Sequence, residues 1–585
     1  MEMNTAVKIP GVLGNLRSKG SAAFSKISLF FFDKPYFTAL LTAFLLFFPI
    51  LYFFKIYFQL NDDYWAFFLL KGIVLSRHQN DFNLLNNVCF CLFLKKLYMR
   101  FPNIQWYPYL FVLTHFLALW GILSSIQLGT QRLLKTIIFV ISVMAVEIHF
   151  VDCLQWTVVA SMAAVSAFLL LASVWRRGDS KYLGLGLFLL FILIMFSVLI
   201  RFDAFLLMGL LSLPFAIYIS WKIKMTTARW VVIGFLVITA VLSLGVVRFN
   251  HDYLLRVPVW EEAVQFGEQL RETREYRDPV YNKTTKPVFD SIGWSENDLI
   301  LFKSWYSMDE EKFSIEKMKK LNDYFSRLPL NENQWGAIGE VFRNVRTQLL
   351  LLIFFALLPF FLEKDMFFHL GNGLWTFLII ALCALYLKVP ERIYLPSFLL
   401  MNVTGVFLTM PESSHSGEKS KVKTQHFIIG SVYLCVILLL SLYIFHLDYK
   451  QNENWTHKAN EFKASFEKFG PKEDQLFVTW GSAFPYELIP AFDDDTFLKS
   501  FHVIELAALD RTPAAQEMLD WFGYKNLFKE MVDSSDVFLI CTPYQFTLYY
   551  TYMLEKYKLK TYGLAVFKSK LFNVYAIHRV RKNPG

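Results

Sequence analysis

The sequence predicts a polytopic α-helical membrane protein of about eleven transmembrane helices, followed by a C-terminal α/β domain outside the membrane. Three observations carry this. Of 585 residues, 55% are hydrophobic and 61 are Phe, and mean hydropathy is +0.38, beyond the apolar share of ordinary soluble domains. Apolar stretches close to the ~20 residues that cross a bilayer follow one another along much of the chain. Lysine and arginine collect in alternate short connections between those stretches.

Taken in order, residues 1–35 are basic and rich in Ser and Gly, as a cytoplasmic N-terminal segment would be. The apolar stretch behind them is longer than a signal-peptide core and has no small-residue cleavage site, so it reads as a first anchor. Spans are expected at 36–59, 106–127, 134–152, 156–175, 182–200, 204–221, 230–248, 347–362, 367–387, 393–410 and 425–446. Residues 84–99 are shorter and carry Asn86, Asn87, Lys95 and Lys96, which suits a helix lying in the interface.

With the N-terminus inside, the inner segments hold 17 Lys and Arg against three (Arg201, Lys388 and Arg392) in the short outer loops. Counting 84–99 as a span would reverse every later loop and destroy that asymmetry. The topology makes 36–446 a transmembrane domain with long outer loops at 60–105 and 249–346, and puts 447–585 outside as an extracytoplasmic domain. The middle loop reads as short helices near 261–275 and 314–328, and Ser295 and Asp298 have the spacing of a capping box. The tail alternates strand-like runs at 475–480, 537–541, 562–567 and 572–577 with helical runs at 513–522 and 544–557.

A net charge of +9 would fit nucleic-acid binding if it formed one stripe, but it is dispersed in short clusters that membrane orientation explains, so no nucleic acid is expected. The six cysteines show neither a CxxC pair nor zinc-type spacing.

The chemistry-bearing residues fall in the outer segments. Asn61, Asp62 and Asp63 open the first loop in the run NDDYWAFFLLKG. They are either a solvated helix end with a cap, or a carboxylate facing a cavity as a general base beside a capping partner. Glu147, His149 and Asp152 sit at the end of the third span, where ionisable groups face a bundle interior or a watery cavity rather than lipid. Helical spacing lets Asp152 converge with Glu147 or His149 but points Glu147 and His149 apart. Arg201, with Asp203 beside it, occupies a short outer turn, either snorkelling or clamping a phosphate with its planar fork; Arg77 and His78 are weaker candidates for the same task. Trp260, Trp294, Trp305, Tyr306 and Trp335 are core or belt residues, or platforms for sugar rings.

An acidic first outer loop, a second outer acidic cluster, about eleven spans and an outward α/β tail together resemble the GT-C superfamily of integral membrane glycosyltransferases. The stretches NDDYWAFFLLKG, FPNIQWYPYL, RFDAFLLMGLLSLPF and IGWSENDLILFKSW also look like segments of uncharacterised bacterial multi-spanning proteins of this type. The resemblance implies a polyprenyl-phosphate or polyprenyl-diphosphate sugar donor, a glycan, lipid or protein acceptor, and a bacterial cytoplasmic (inner) membrane. It puts Asp62 or Asp63 at the first-loop catalytic acid and Glu147 or Asp152 at the second-loop acid. A divalent cation, Mg or Mn, is needed by some members and not by others. A glycan polymerase or ligase, a transporter, and a scaffold whose outer segments bind partners are the competing readings. If the orientation is right, an outside-active reporter fused after Lys450 will be active and one fused after Lys181 silent.

Overall fold

The computed structural model describes residues 34–81, 85–127, 133–177, 182–222, 226–327, 332–358, 366–387, 389–408, 424–506, 511–525 and 527–580. Most of residues 1–35 and several of the inner basic positions, Arg132, Lys181, Lys364 and Lys421 among them, lie outside that set. Helices dominate. Six are long and apolar enough to cross a membrane among the described residues: α1 (Pro35–Phe53), α4 (Trp106–Gln127), α6 (Trp156–Arg177), α7 (Leu183–Lys222), α8 (Thr227–Leu254) and α15 (Met366–Tyr386). The α7 run is two arms, broken at Arg201 where the backbone is extended (φ −157°, ψ 102°). Helices α5 (Leu133–Asp152), α14 (Val345–Leu357), α16 (Glu391–Leu408) and the first half of α17 (Thr424–Phe469) pack into the same apolar core.

The burial pattern argues for lipid around this bundle. On α8 the buried residues are Arg229, Val232, Thr239 and Ser243, whereas Trp230, Val231, Val237, Ile238, Val241, Leu242 and Leu244 are exposed. A helix in water would do the reverse. This inside-out arrangement, repeated by exposed Phe37, Leu45 and Phe48 on α1 and Phe367 and Leu374 on α15, makes the chain a multi-pass membrane protein.

At the centre stands α6, almost wholly buried, with Ala160, Ser161, Ala163, Ala164, Ser166 and Ala167 letting neighbours approach. A Cβ on Gly121 of α4 would collide with Ser166 Oγ, so a glycine is needed where those two helices touch. The first span ends six residues earlier than its apolar run: after Phe53 the chain extends into β1 (Tyr57–Phe58), which pairs in parallel with β2 (Cys153–Leu154). Next come α2 (Asn61–Lys71) and α3 (Val88–Arg100). The latter is 13 residues long, burying Phe90, Cys91, Leu94 and Tyr98 and exposing Phe93, Lys96 and Met99, as an interfacial helix should.

The middle segment folds as α9 (Pro258–Arg271), a π turn at Glu272–Arg277, α10 (Lys286–Ile292), α11 (Glu296–Lys303), α12 (Ile315–Phe325) and α13 (Glu332–Arg343). Ser295 and Asp298 form the reciprocal capping box at the start of α11. In the tail, β3 (Leu476–Thr479), β4 (His502–Glu505), β5 (Val537–Ile540), β6 (Thr561–Lys568) and β7 (Asn573–Arg579) form one sheet in the order β4-β3-β5-β7-β6. The first three are mutually parallel; β7 runs antiparallel to β5 and to β6. Helices α18 (Pro513–Phe522), α19 (Leu527–Asp533) and α20 (Pro543–Tyr557) make the crossovers. The sequence pattern missed β4 and α19, both short.

Strand periodicity explains how the sheet is seated. Leu476 and Val478 of β3 share a core with Phe266, Phe289, Trp294 and Phe302 of the middle segment. Phe477 turns to the other face and joins Phe462, Phe466, Phe484 and Phe501, the core continuous with the helix bundle. The sheet is thus clamped between the end of α17 and the middle segment. Asp309 fastens that clamp by accepting hydrogen bonds from Tyr552 and Lys556, from Tyr557 Oη at 3.0 Å, and from the Lys312 amide at 3.0 Å.

Burial pushes the Asp309 carboxyl up, but the hydrogen bonds from Lys556 and Tyr552 outweigh it and hold it down at about 2. A folded value below the ordinary 3.8 contributes stability above that pH and loses it as pH falls toward 2. Asp309→Asn should cost about 1–2 kcal/mol in chemical unfolding of the full chain at pH 7. The difference from the parent protein should shrink below pH 4.

Candidate functional site

The first acidic pair divides its labour. Asp63 is fully buried, and its Oδ1 accepts a hydrogen bond from the Trp156 amide at 3.2 Å, the first residue of α6. An N-terminal helix amide has no intrahelical partner and carries partial positive charge, so a carboxylate belongs there. Its Oδ2 has no hydrogen-bond partner among the described residues. Tyr107 lies beside it, but that hydroxyl is directed to Asn86 Oδ1 at 3.3 Å. Burial and then the neighbouring Asp62 push the Asp63 carboxyl well above its ordinary value, against the pull of the Trp156 amide.

Asp62, one position earlier, is partly exposed. It lies within electrostatic reach of Arg392 at the head of α16, Glu275 in the π turn, and Arg201. Burial raises its carboxyl above the ordinary value and Glu275 adds to this, while Arg392 and Arg201 oppose it.

Arg201 is held by the same helix end as Asp63. Its Nη1 donates to Thr157 Oγ1 at 2.6 Å and its guanidinium lies 4.1 Å from the Trp156 ring centroid. The break in α7 releases it from a helical path, and its further electrostatic neighbours are Asp203, Arg392, Arg271 and Tyr276. Segments distant in sequence therefore bring Asp62, Arg201, Arg392, Arg271 and Glu275 around the N-terminus of α6. Three guanidinium groups stand among three carboxylates, of Asp62, Glu275 and Asp203, which puts cationic forks and a candidate base in one neighbourhood.

The π turn links this group to the sheet. Arg274 stacks over Trp305, 2.9 Å from the ring centroid, and Trp305 adopts a left-handed backbone (φ 67°), a costly conformation for a bulky residue. Trp305 also approaches Gly481, just beyond the carboxyl end of β3, the edge where open α/β sheets hold ligands. Trp260, Trp294 and Tyr306 are core, 3%, 2% and 0% exposed, and cannot stack on a sugar; the Trp335 side chain lies outside the described set.

The second acidic cluster splits in two. Glu147 does not meet Asp152: its Oε1 lies 2.9 Å from His115 Nδ1 of α4, both side chains fully buried. Five residues apart on one helix, Glu147 and Asp152 are turned about 140° from each other, so the convergence expected from their spacing does not occur. His149 does converge with Asp152, Nδ1 to Oδ1 at 3.9 Å, and it also faces Glu391 and Asp448. Burial lifts the Asp448 carboxyl to about 6, opposed by Arg346. A metal-competent group among the described residues is His149, Asp152 and Cys153, whose ligand atoms lie within 4.8 Å of one another.

The structure takes Arg77 and His78 elsewhere. Arg77 stacks 3.7 Å over Trp521 of α18 and His78 is exposed, its carbonyl accepting from Ser76 Oγ at 3.0 Å. These residues dock the first loop on the sheet, as the Val503 amide to Val74 carbonyl bond (2.8 Å) also does. His251 is exposed at the end of α8 beside Asp252. Sequence reasoning missed Arg392, Glu275, Thr157, His115 and Asp448. Arg392 alone had a signal, a guanidinium heading an apolar helix just after Pro390.

No family model matches the chain, and no curated protein does. Among solved structures it is similar to the crystal structure of ArnT from Cupriavidus metallidurans in the apo state, at 11% identity and a TM-score of 0.39, over 95% of this chain and 98% of that one. A likeness this loose transfers neither a residue nor a reaction.

The two aspartates should separate in unfolding measurements. Asp63→Ala orphans the Trp156 amide and should cost about 1–3 kcal/mol. Asp62→Ala should stay within about 0.5 kcal/mol of the parent, and the opposite ranking would exchange the two roles.

Proposed function

We propose that this chain is a membrane glycosyltransferase moving a sugar from a polyprenyl-phosphate-type carrier to a glycan, lipid or protein acceptor at the outer face of the membrane. The observation that carries the reading is Arg201 held on the N-terminus of a buried membrane helix, with partly exposed Asp62 within electrostatic reach of it and of Arg392. A carrier whose tail stays in the bilayer delivers its phosphate to this depth, and the two guanidinium groups match a phosphate in charge and fork geometry.

In this mechanism Asp62 takes the proton of the acceptor hydroxyl as its oxygen bonds to the anomeric carbon. The bond from that carbon to the carrier phosphate oxygen breaks, and its electron pair leaves on the phosphate. Arg201 and Arg392 stabilise the growing negative charge. Asp63 positions Asp62 by holding α2 against α6, and its own burial keeps it from the acceptor. The raised Asp62 carboxyl is a stronger base than an ordinary aspartate. Trp305 and Arg274, at the edge of the sheet, are suited to a polar acceptor ring.

The full chain in lipid nanodiscs, offered a panel of polyprenyl-phosphate-linked sugars, should release free polyprenyl phosphate. Asp62→Asn should lower that release by about 100-fold or more, and Arg201→Lys by about tenfold or more. Activity should rise with pH through a midpoint above 3.8, since the base works ionised and its carboxyl is raised. Undiminished turnover in Asp62→Asn would remove the base and with it the reading.

A further inference from the structure

His149 itself makes neither a hydrogen bond nor a close ion pair with the carboxylates around it. His149 Nδ1 stands 3.9 Å from Asp152 Oδ1 and 3.8 Å from Asp448 Oδ1, too far for hydrogen bonds and too near to be unrelated. Asp152 and Asp448 are 2% and 1% exposed, yet Asp152 Oδ1 and Asp448 Oδ2 have no hydrogen-bond partner among the described residues. Buried carboxylate oxygens without a donor are costly, and here one of them points at the imidazole nitrogen. Charge is unbalanced as well. Three carboxylates, of Asp152, Asp448 and Glu391, meet the single guanidinium of Arg346, which pairs with Asp448 and lies 3.5 Å from Glu391.

We infer that His149, Asp152, Cys153 and Asp448 form a zinc-binding site that ties α17 to the junction of α5 and α6. Donor atoms on a tetrahedral ion with bonds of ~2.1 Å lie about 3.4 Å apart. The two His149 spacings of 3.8 and 3.9 Å would contract by about half an ångström, and the His149, Asp152 and Cys153 atoms, within 4.8 Å of one another, would close further as the ion draws them in, with Asp448 joining from α17. One nitrogen, one thiolate and two carboxylate oxygens suit a borderline-soft divalent ion better than magnesium, which takes oxygen ligands. The histidine is oriented as metal-bound histidines are: its other nitrogen, Nε2, faces the Glu391 carboxylate at 3.6 Å.

The proposed ion sits behind the site described above and does not depend on it. Glu391 faces His149 while its neighbour Arg392 lies within electrostatic reach of Asp62, and Cys153 lies three residues before Trp156. Its task is to fix the segment that presents Trp156 and Thr157 to Asp63 and Arg201.

The test uses the full-length chain, purified without a polyhistidine tag or chelator, incubated with zinc and desalted for elemental analysis. The inference predicts about one zinc per chain, lost in His149→Ala and Asp448→Asn with at least about tenfold weaker binding. Cobalt substitution should give a thiolate-to-metal charge-transfer band that disappears in the conservative Cys153→Ser variant, a readout that survives if the other variants fold poorly. Asp62→Asn should keep its zinc, so failure of sugar transfer and failure of zinc binding are told apart. A zinc-free parent protein, or one whose zinc content is unchanged by both His149→Ala and Asp448→Asn, overturns the assignment.

Discussion

The hydrogen bond from the Trp156 amide to the Asp63 carboxylate joins the first turn of α2 to the helix at the centre of the bundle. Both groups are buried, so neither can exchange its partner for water, and the contact must be kept wherever the bundle forms. Much else follows from it. The two-residue β1–β2 pairing runs beside it, Thr157 is presented one residue further on, and Arg201 comes to rest on Trp156 and Thr157. Asp62 keeps partial exposure because Asp63 is buried. Adjacent helical residues point about 100° apart, so burying one against α6 turns the other toward Arg392 and Glu275.

Ionisable groups in this bundle obey the cost of removing charge from water. Glu147 and His115 answer it by pairing within the core. Arg229 donates to the Trp175 carbonyl at 3.0 Å and keeps its charge near a helix end. The His149 group is the case where protein partners alone leave the charge and two carboxylate oxygens unmatched. That contrast between neighbouring acidic positions on one helix singles out the second group for a ligand.

The sheet is positioned by aromatic packing on both faces and by the Asp309 cluster, and the consequence is a fixed approach to the membrane end of the bundle. The carboxyl end of β3 meets Trp305 and Arg274, and the π turn that carries Arg274 also carries Glu275. A polar molecule reaching Asp62 by this route would pass a stacked indole and guanidinium, which connects the sheet to the chemistry without giving it a reactive group of its own.

Much of the architecture was legible in the sequence because it is written in local patterns. Apolar runs located the helices, alternation located β3, β5, β6 and β7, Ser295 and Asp298 announced their capping box, and the polar residues of 84–99 marked a helix too short to span. Local patterns also named Asp62, Asp63, His149, Asp152 and Arg201 as residues out of place among apolar neighbours. Which of them meet was decided only by the tertiary structure. Partnership depends on helix rotation and on loops that return from far along the chain, and neither leaves a signal in a short window. Thus Glu147 went to His115, Arg77 to Trp521, and Arg392 and Asp448 arrived from segments the sequence did not connect to the site. The residue types determined that charge would have to be matched inside the bundle; only the packing of α4, α6, α16 and α17 determined by what.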